Sequence, residues 1–239
     1  MPRSSVETAR DELARANRIL TNESVLDAFG HVSVRHPNNP DQFLMSRSLP
    51  PLMVGASDIL EFNLASELLV PSAERQYAER VIHGAIYSAR TDVNAICHHH
   101  STSMLPFCVT GQKLEPLSQL GAVCGRDIPF WDSRDEFGDT DLLVVTQPQA
   151  ASLARALGAN WLVLMRRHGA TCVGTTLKEM MFRAVHSNNN AELQLRAMAV
   201  GALDVLSDGE IALASNIRPI SLERSWNYWN ARIVEEKVQ

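Results

Sequence analysis

The run Val93-Asn94-Ala95-Ile96-Cys97 ends abruptly in His98-His99-His100. A short apolar run bounded by charge and by histidine predicts a buried β-strand. Side chains alternate across a strand, so His98 and His100 share one face and His99 takes the other. Two imidazoles a strand step apart on one face can grip a single divalent cation.

The flanking segments predict an α/β domain. Val6 to Leu20 carries apolar residues at helical spacing. Gly30 to Arg35 and Phe43 to Ser46 predict a hairpin across Asn38-Asn39-Pro40-Asp41, and Ile59 to Asn63 another strand. A helix is expected over 73–89, with Tyr77, Val81, Ala85 and Ile86 on its apolar face. Leu142 to Val145 and Trp161 to Met165 predict buried strands, separated by an alanine-rich helix from Pro148 to Leu157. Leu177 to Val200 predicts a long helix with Asn188-Asn189-Asn190 as a polar patch, and Glu210 to Ala214 a short one. Positions 221–239 form an aromatic-rich, amphipathic C-terminal tail. No repeat or linker divides the chain, so 1–239 is expected to be one domain.

Two further residues fit the histidine pair. His168, in Arg166-Arg167-His168-Gly169, follows a predicted strand, where the glycine permits a tight turn. Glu79 precedes His98 by nineteen residues on the expected helix and offers an anionic ligand or a base. Three neutral nitrogens and a carboxylate suit one zinc, manganese, iron or cobalt ion rather than calcium or magnesium.

The stretch from Glu79 through Tyr87, Arg90 and Asp92 to His100, with the later His168-Gly169, resembles the signature of the class II aldolase and adducin-head family. The resemblance runs from about Glu7 to about Trp229. It implies a single α/β/α domain around a mainly antiparallel sheet, assembled as a homotetramer with sites at subunit interfaces. It also implies that His98, His100 and His168 are metal ligands and that Glu79 is a ligand or acid/base group.

Sugar-phosphate members of that family need an anion cradle, and this sequence departs from theirs. Gly30-His31-Val32-Ser33 has histidine where they have asparagine. Ser46-Arg47-Ser48-Leu49-Pro50 lacks their glycine, and Gln76-Tyr77-Ala78 replaces their paired serines. These departures, with Phe107 to Leu117 and Asp135 to Asp141, resemble the decarboxylase-like branch. Its members act on hydroxylated aromatic or heteroaromatic carboxylates of the dihydroxyphthalate or pyridine-dicarboxylate type. The resemblance therefore implies a metal-dependent, non-oxidative decarboxylase with a small anionic aromatic substrate. Glu79 would move the proton. His31 and Ser33 would orient the ring hydroxyl or carboxylate. Arg47, beside Ser46, would offer a planar fork to a second carboxylate. The alternatives are an aldolase or epimerase on a small hydroxy-carbonyl compound, an Fe(II)-dependent oxygenase, and a non-catalytic adducin-like scaffold.

Composition narrows the partners. A net charge of −5 argues against a general nucleic-acid binder. No run is long and apolar enough to span a bilayer. The polar start lacks a secretory h-region, so a cytoplasmic location is expected. Cys97, Cys108, Cys124 and Cys172 contain no C-x-x-C pair, so a disulfide framework is not expected. Of the other histidines, His36 reads as solvated, His83 as packed behind Glu79, His99 as core or interface, and His186 as structural. Arg166 and Arg167 read as surface charges. Trp226, Tyr228 and Trp229 read as packing on the body or a neighbour, or as a lid over an adjacent site.

Overall fold

The computed structural model describes residues 4–233. Its strands are β1 (His31–Arg35), β2 (Gln42–Ser46), β3 (Ile59–Asn63), β4 (Ala95–His99), β5 (Phe130–Trp131), β6 (Leu162–Met165) and β7 (Gly169–Gly174). They form one sheet in the order β3-β2-β1-β4-β7-β6-β5. Every pairing is antiparallel except that of β5 with β6. The expected single α/β domain with a mainly antiparallel sheet is what forms.

Helices cover both faces. On one lie α1 (Ser5–Asn22), α6 (Leu177–Met198) and α8 (Pro219–Arg232); on the other lie α2 (Val81–Ala89) and α5 (Gln147–Leu157). Shorter helices are α3 (Leu105–Thr110), α4 (Arg134–Phe137) and α7 (Asp208–Ala214). Strand alternation divides the core into two layers. Ala95, Cys97, Leu162 and Leu164 pack beneath α1 and α6. Ile96, Val163, Met165 and Val173 pack beneath α2 and α5. The β4 strand is buried along its whole length, as the apolar run predicts.

Local signals set the helix ends. Ser4 accepts from the Glu7 backbone N–H while Glu7 accepts from that of Ser4, a reciprocal cap that starts α1. Thr176 caps α6 in the same sense through Glu179 N–H. Of the asparagine patch inside α6, Asn190 stitches the helix to the preceding chain, together with Gln194 one turn on. Asn190 accepts from Leu117 N–H and donates to the Glu115 carbonyl, while Gln194 does the same for Glu115 N–H and the Lys113 carbonyl.

Two expected elements differ in the structure. The helix placed over 73–89 begins only at Val81, and Ala78–Arg80 is a single 3-10 turn carrying Glu79. Tertiary pairing overrides helix propensity in 73–77. Ser48 N–H donates to the Arg75 carbonyl, and the Tyr77 hydroxyl donates to the Leu49 carbonyl, holding Tyr77 extended. The apolar run Leu142 to Val145 is not a strand but a loop, with Leu142 at φ 70°. Its polar backbone groups serve the site described below, and Phe130–Trp131 takes the edge position beside β6.

The aromatic tail contributes α8. Trp229 is buried against the α1/α6 layer and approaches His186, while Tyr228 is exposed. The rest of the expected tail, 234–239, lies outside the described residues. Among the described residues all four cysteines are buried thiols, and no helix is long and apolar enough to cross a membrane.

One glycine sets how closely β7 meets the histidines of β4. A Cβ on Gly169 would stand 2.3 Å from the His99 carbonyl oxygen and 2.9 Å from His100 Cδ2. Gly169→Ala is therefore expected to force β7 away from β4. The expected cost is about 1–3 kcal/mol of stability, measurable by denaturant unfolding, together with weaker metal retention. An alanine variant of wild-type stability would show that the strands have slack there.

Candidate metal centre and its cleft

Sheet register assembles the centre. In the β1–β4 pairing His31 stands opposite His98, and in the β4–β7 pairing Thr171 does. His98 is thus held between two polar neighbours on one face of the sheet. His100 follows two residues on, at the strand end. His168 sits in the turn between β6 and β7, beside Arg167 at φ 54°. The 3-10 turn before α2 delivers Glu79 to the same face.

These four residues converge. The Nε2 atoms of His98 and His100 are 3.0 Å apart, those of His98 and His168 3.3 Å, and those of His100 and His168 3.0 Å. Glu79 Oε2 lies 3.7 Å from His98 Nε2, and its Oε1 lies 3.5 Å from His168 Nε2. One ligand atom from each of the four falls within a 4.8 Å span. Nitrogens bound tetrahedrally at about 2.0–2.1 Å from a zinc ion would stand roughly 3.3–3.4 Å apart. The spacing here fits a small divalent transition metal.

Hydrogen bonds fix which ring nitrogens are bare. His168 Nδ1–H donates to the Leu142 carbonyl at 2.6 Å. The Thr171 hydroxyl donates to Met165 Sδ, leaving its oxygen to accept His98 Nδ1–H at 3.0 Å. Both rings therefore turn an unprotonated Nε2 inward. Such lone pairs cannot satisfy one another, and a cation at their meeting point relieves them. Burial, reinforced by the neighbouring imidazoles, holds His98 well below the ordinary histidine pKa. Burial acts downward on His168 too, but the Glu79 carboxylate outweighs it and raises that pKa. A carboxylate that favours a proton there also favours a metal cation.

The loop at 142–145 completes the support. Val144 N–H donates to Glu79 Oε1 at 2.9 Å, so the carboxylate is oriented by backbone and not by a flexible neighbour. Thr171→Val, which keeps the shape but removes the acceptor for His98, is expected to weaken metal affinity about 10–100-fold. Competition with a chelator measures this; unchanged affinity would show that the strand alone orients His98.

Beside the four ligands opens a cleft of about 380 Å³. Its lining combines the polar His31, Ser48, Glu79 and His100 with the apolar or aromatic Phe29, Leu49, Pro50, Tyr77 and Leu143. The structure brings His31 to this cleft with Glu79 and His100. It does not bring the other three expected substrate residues there. Ser33 is fully buried behind His31, bonded to His83 and Tyr87. Ser46 is buried at the end of β2. Arg47 turns outward, with its Nε 2.7 Å from Asp58 and its Nη1 3.2 Å from Glu74. No arginine or lysine lines the cleft among the described residues. Tyr77 and Phe29 also line the cleft, although helical spacing alone predicts Tyr77 on the apolar face of a helix. His99 is core, fully buried, and burial holds it neutral with a pKa of about 3.

The chain is similar to known proteins. Residues 11–195 match the family described as Class II Aldolase and Adducin N-terminal domain. The chain belongs to that family. It is 32% identical over 235 residues to the decarboxylase tropJ of Talaromyces stipitatus, covering 88% of each chain. It is 28% identical over 242 residues to the 3,4-dihydroxyphthalate decarboxylase of Arthrobacter keyseri, covering 94% of each. Among solved structures it superposes on the L-fuculose 1-phosphate aldolase of Glaciozyma antarctica with a TM-score of 0.78 and 24% identity, covering 97% of this chain and 93% of that one. This family member is thus an α/β protein whose curated relatives include decarboxylases, and it carries a Glu/His₃ cluster able to hold a metal.

Proposed function

We propose that this chain is a divalent-metal-dependent, non-oxidative decarboxylase of a hydroxylated aromatic carboxylic acid of the dihydroxyphthalate or pyridine-dicarboxylate type. The observation that carries this reading is the state of the loop beside the cleft. Arg47 N–H donates to the Asp58 carbonyl, Ser48 N–H to the Arg75 carbonyl, and Leu49 N–H to the Tyr77 hydroxyl. Pro50 has no N–H. A phosphate dianion needs several free backbone donors in a nest, and this loop has spent its own. What remains is an apolar wall of Leu49, Pro50, Tyr77 and Phe29, which suits the face of a ring. The similarity to the two decarboxylases supports the same reading.

His98, His100, His168 and Glu79 would hold the ion. When bound, a divalent cation supplies the Lewis acidity that accepts negative charge on the ring oxygen as the carboxylate carbon departs. The chain's own residues do the rest. Tyr77 and Leu49 bracket the ring and exclude water. Glu79, clamped by Val144, takes the proton of the ring hydroxyl and returns one to the ring carbon. The carbon–carbon bond breaks, its electron pair stays on the ring, CO₂ leaves, and the proton fills the vacated position. With Arg47 engaged by Asp58 and Glu74, a second carboxylate would be met at His31 or Ser48.

We further infer a homo-oligomer, a tetramer by the family resemblance. Leu52 and Met53, which follow the cleft-lining Leu49 and Pro50 in the chain, expose 57% and 67% of their surface, a pattern suited to a subunit contact. The test of function is incubation of metal-analysed protein with a panel of hydroxy-aromatic acids, with and without oxygen, following CO₂ and O₂ together. Metal-dependent CO₂ release without O₂ uptake is expected. Retro-aldol products without CO₂, or Fe(II)-dependent O₂ consumption, would replace the decarboxylase with an aldolase or an oxygenase.

A further inference from the structure

Behind the cleft, four buried side chains form an unbranched hydrogen-bonded chain. His31 Nδ1 lies 2.7 Å from His83 Nε2, His83 Nδ1 lies 2.6 Å from Ser33 Oγ, and Ser33 Oγ lies 2.8 Å from the Tyr87 hydroxyl. None of the four is more than 3% exposed. His31 lines the cleft, and its other ring nitrogen, Nε2, has no partner among the described residues.

The direction of the chain follows from counting protons. His83 is wholly and His31 almost wholly buried, and neither has a carboxylate as a hydrogen-bond partner, so both imidazoles are neutral. Each member then carries one polar hydrogen. The four hydrogens face only three links, so one must point out of the chain. At the inner end the Tyr87 hydroxyl has no partner but Ser33 among the described residues. If His31 donated to His83 and His83 to Ser33, then the hydroxyl hydrogen of either Ser33 or Tyr87 would be stranded in the core. A stranded buried donor is disfavoured by a large factor. At the outer end a substrate oxygen or water can accept.

We infer that Tyr87 donates to Ser33, Ser33 to His83 and His83 to His31, so that His31 is locked as its Nε2–H tautomer and presents a fixed hydrogen-bond donor to the cleft. Its natural acceptor is an anionic oxygen of the substrate, a carboxylate or a ring oxyanion. His83, Ser33 and Tyr87 are positioning residues. Among the described residues the chain ends at Tyr87, whose hydroxyl meets Ser33 alone, so the chain orients His31 and does not shuttle protons. This inference rests on the proposed substrate cleft and names how that cleft meets an anion without an arginine.

The test reads the tautomer directly. Zinc-reconstituted protein labelled with ¹⁵N-histidine is examined by long-range ¹H–¹⁵N correlation, with the His31 signals assigned by their loss in His31→Gln. A pyrrole-type Nε2 and a pyridine-type Nδ1 are expected; the proton on Nδ1 would overturn the inference. His83→Phe removes the partner of Nδ1. It is expected to populate both tautomers and lower kcat/KM about tenfold with metal content unchanged. A tautomer unaltered in that variant would overturn the role of His83. The wild-type spectrum decides even if the variant does not fold. Because it needs no turnover, a failed substrate panel leaves it standing, and a wrong tautomer leaves decarboxylation standing.

Discussion

His98→Ala is expected to empty the metal site and abolish turnover. His98 is the fully buried member of the cluster, fixed between His31 and Thr171 by sheet register and by its Nδ1–H bond to Thr171. Removing it takes away one of three converging nitrogens. A site that loses a ligand also loses the free energy by which the metal holds its own surroundings together. Metal content should fall from about one ion per subunit to under about a tenth, and the rate by more than about 10³-fold. His100→Ala should behave alike. Metal content near wild type in both variants, measured by elemental analysis after gel filtration, would refute the assignment of the cluster.

Glu79→Gln separates binding from chemistry. The amide oxygen can still accept from Val144 N–H, so the side chain should keep its place. It loses the negative charge and the ability to carry a proton. Turnover is expected to drop about 10²–10⁴-fold, while most of the metal stays with the three histidines. Equal loss of metal and activity would make Glu79 chiefly a ligand. Unchanged activity would make it structural.

These two residues also show what a sequence can and cannot disclose. The histidine pair was legible because strand alternation is local: five residues fix which side chains share a face. Glu79 was legible as a partner, but its element was not. Whether 73–77 coils into a helix depends on hydrogen bonds to 47–49, nearly thirty positions away. The apolar run Leu142 to Val145 carries strand composition, yet its carbonyl and amide groups go to His168 and Glu79. Arg47 looked like an anion fork, and its acid partners Asp58 and Glu74 reach it only through the fold. His83 stands four positions after Glu79 and so read as packed behind it. Because α2 starts at Val81, it faces His31 and Ser33 instead.

The departures from a phosphate cradle were legible as missing residue types, but the stronger form of that argument needed backbone geometry. Only the structure accounts for the N–H groups of Arg47, Ser48 and Leu49. Similarity at 24% identity to an L-fuculose 1-phosphate aldolase speaks for the fold alone. Related folds host different reactions, so the proposed decarboxylation rests on the cleft and on the similarity to the two decarboxylases.

The most direct measurement is a stoichiometric one. Metal-reconstituted protein is given a dihydroxyphthalate labelled with ¹³C in its carboxyl groups, in D₂O and without oxygen. The account predicts one labelled CO₂ per substrate consumed and one deuterium at the vacated ring position, with neither seen after metal removal. Substrate consumed without labelled CO₂, or CO₂ released equally by the metal-free protein, would contradict it.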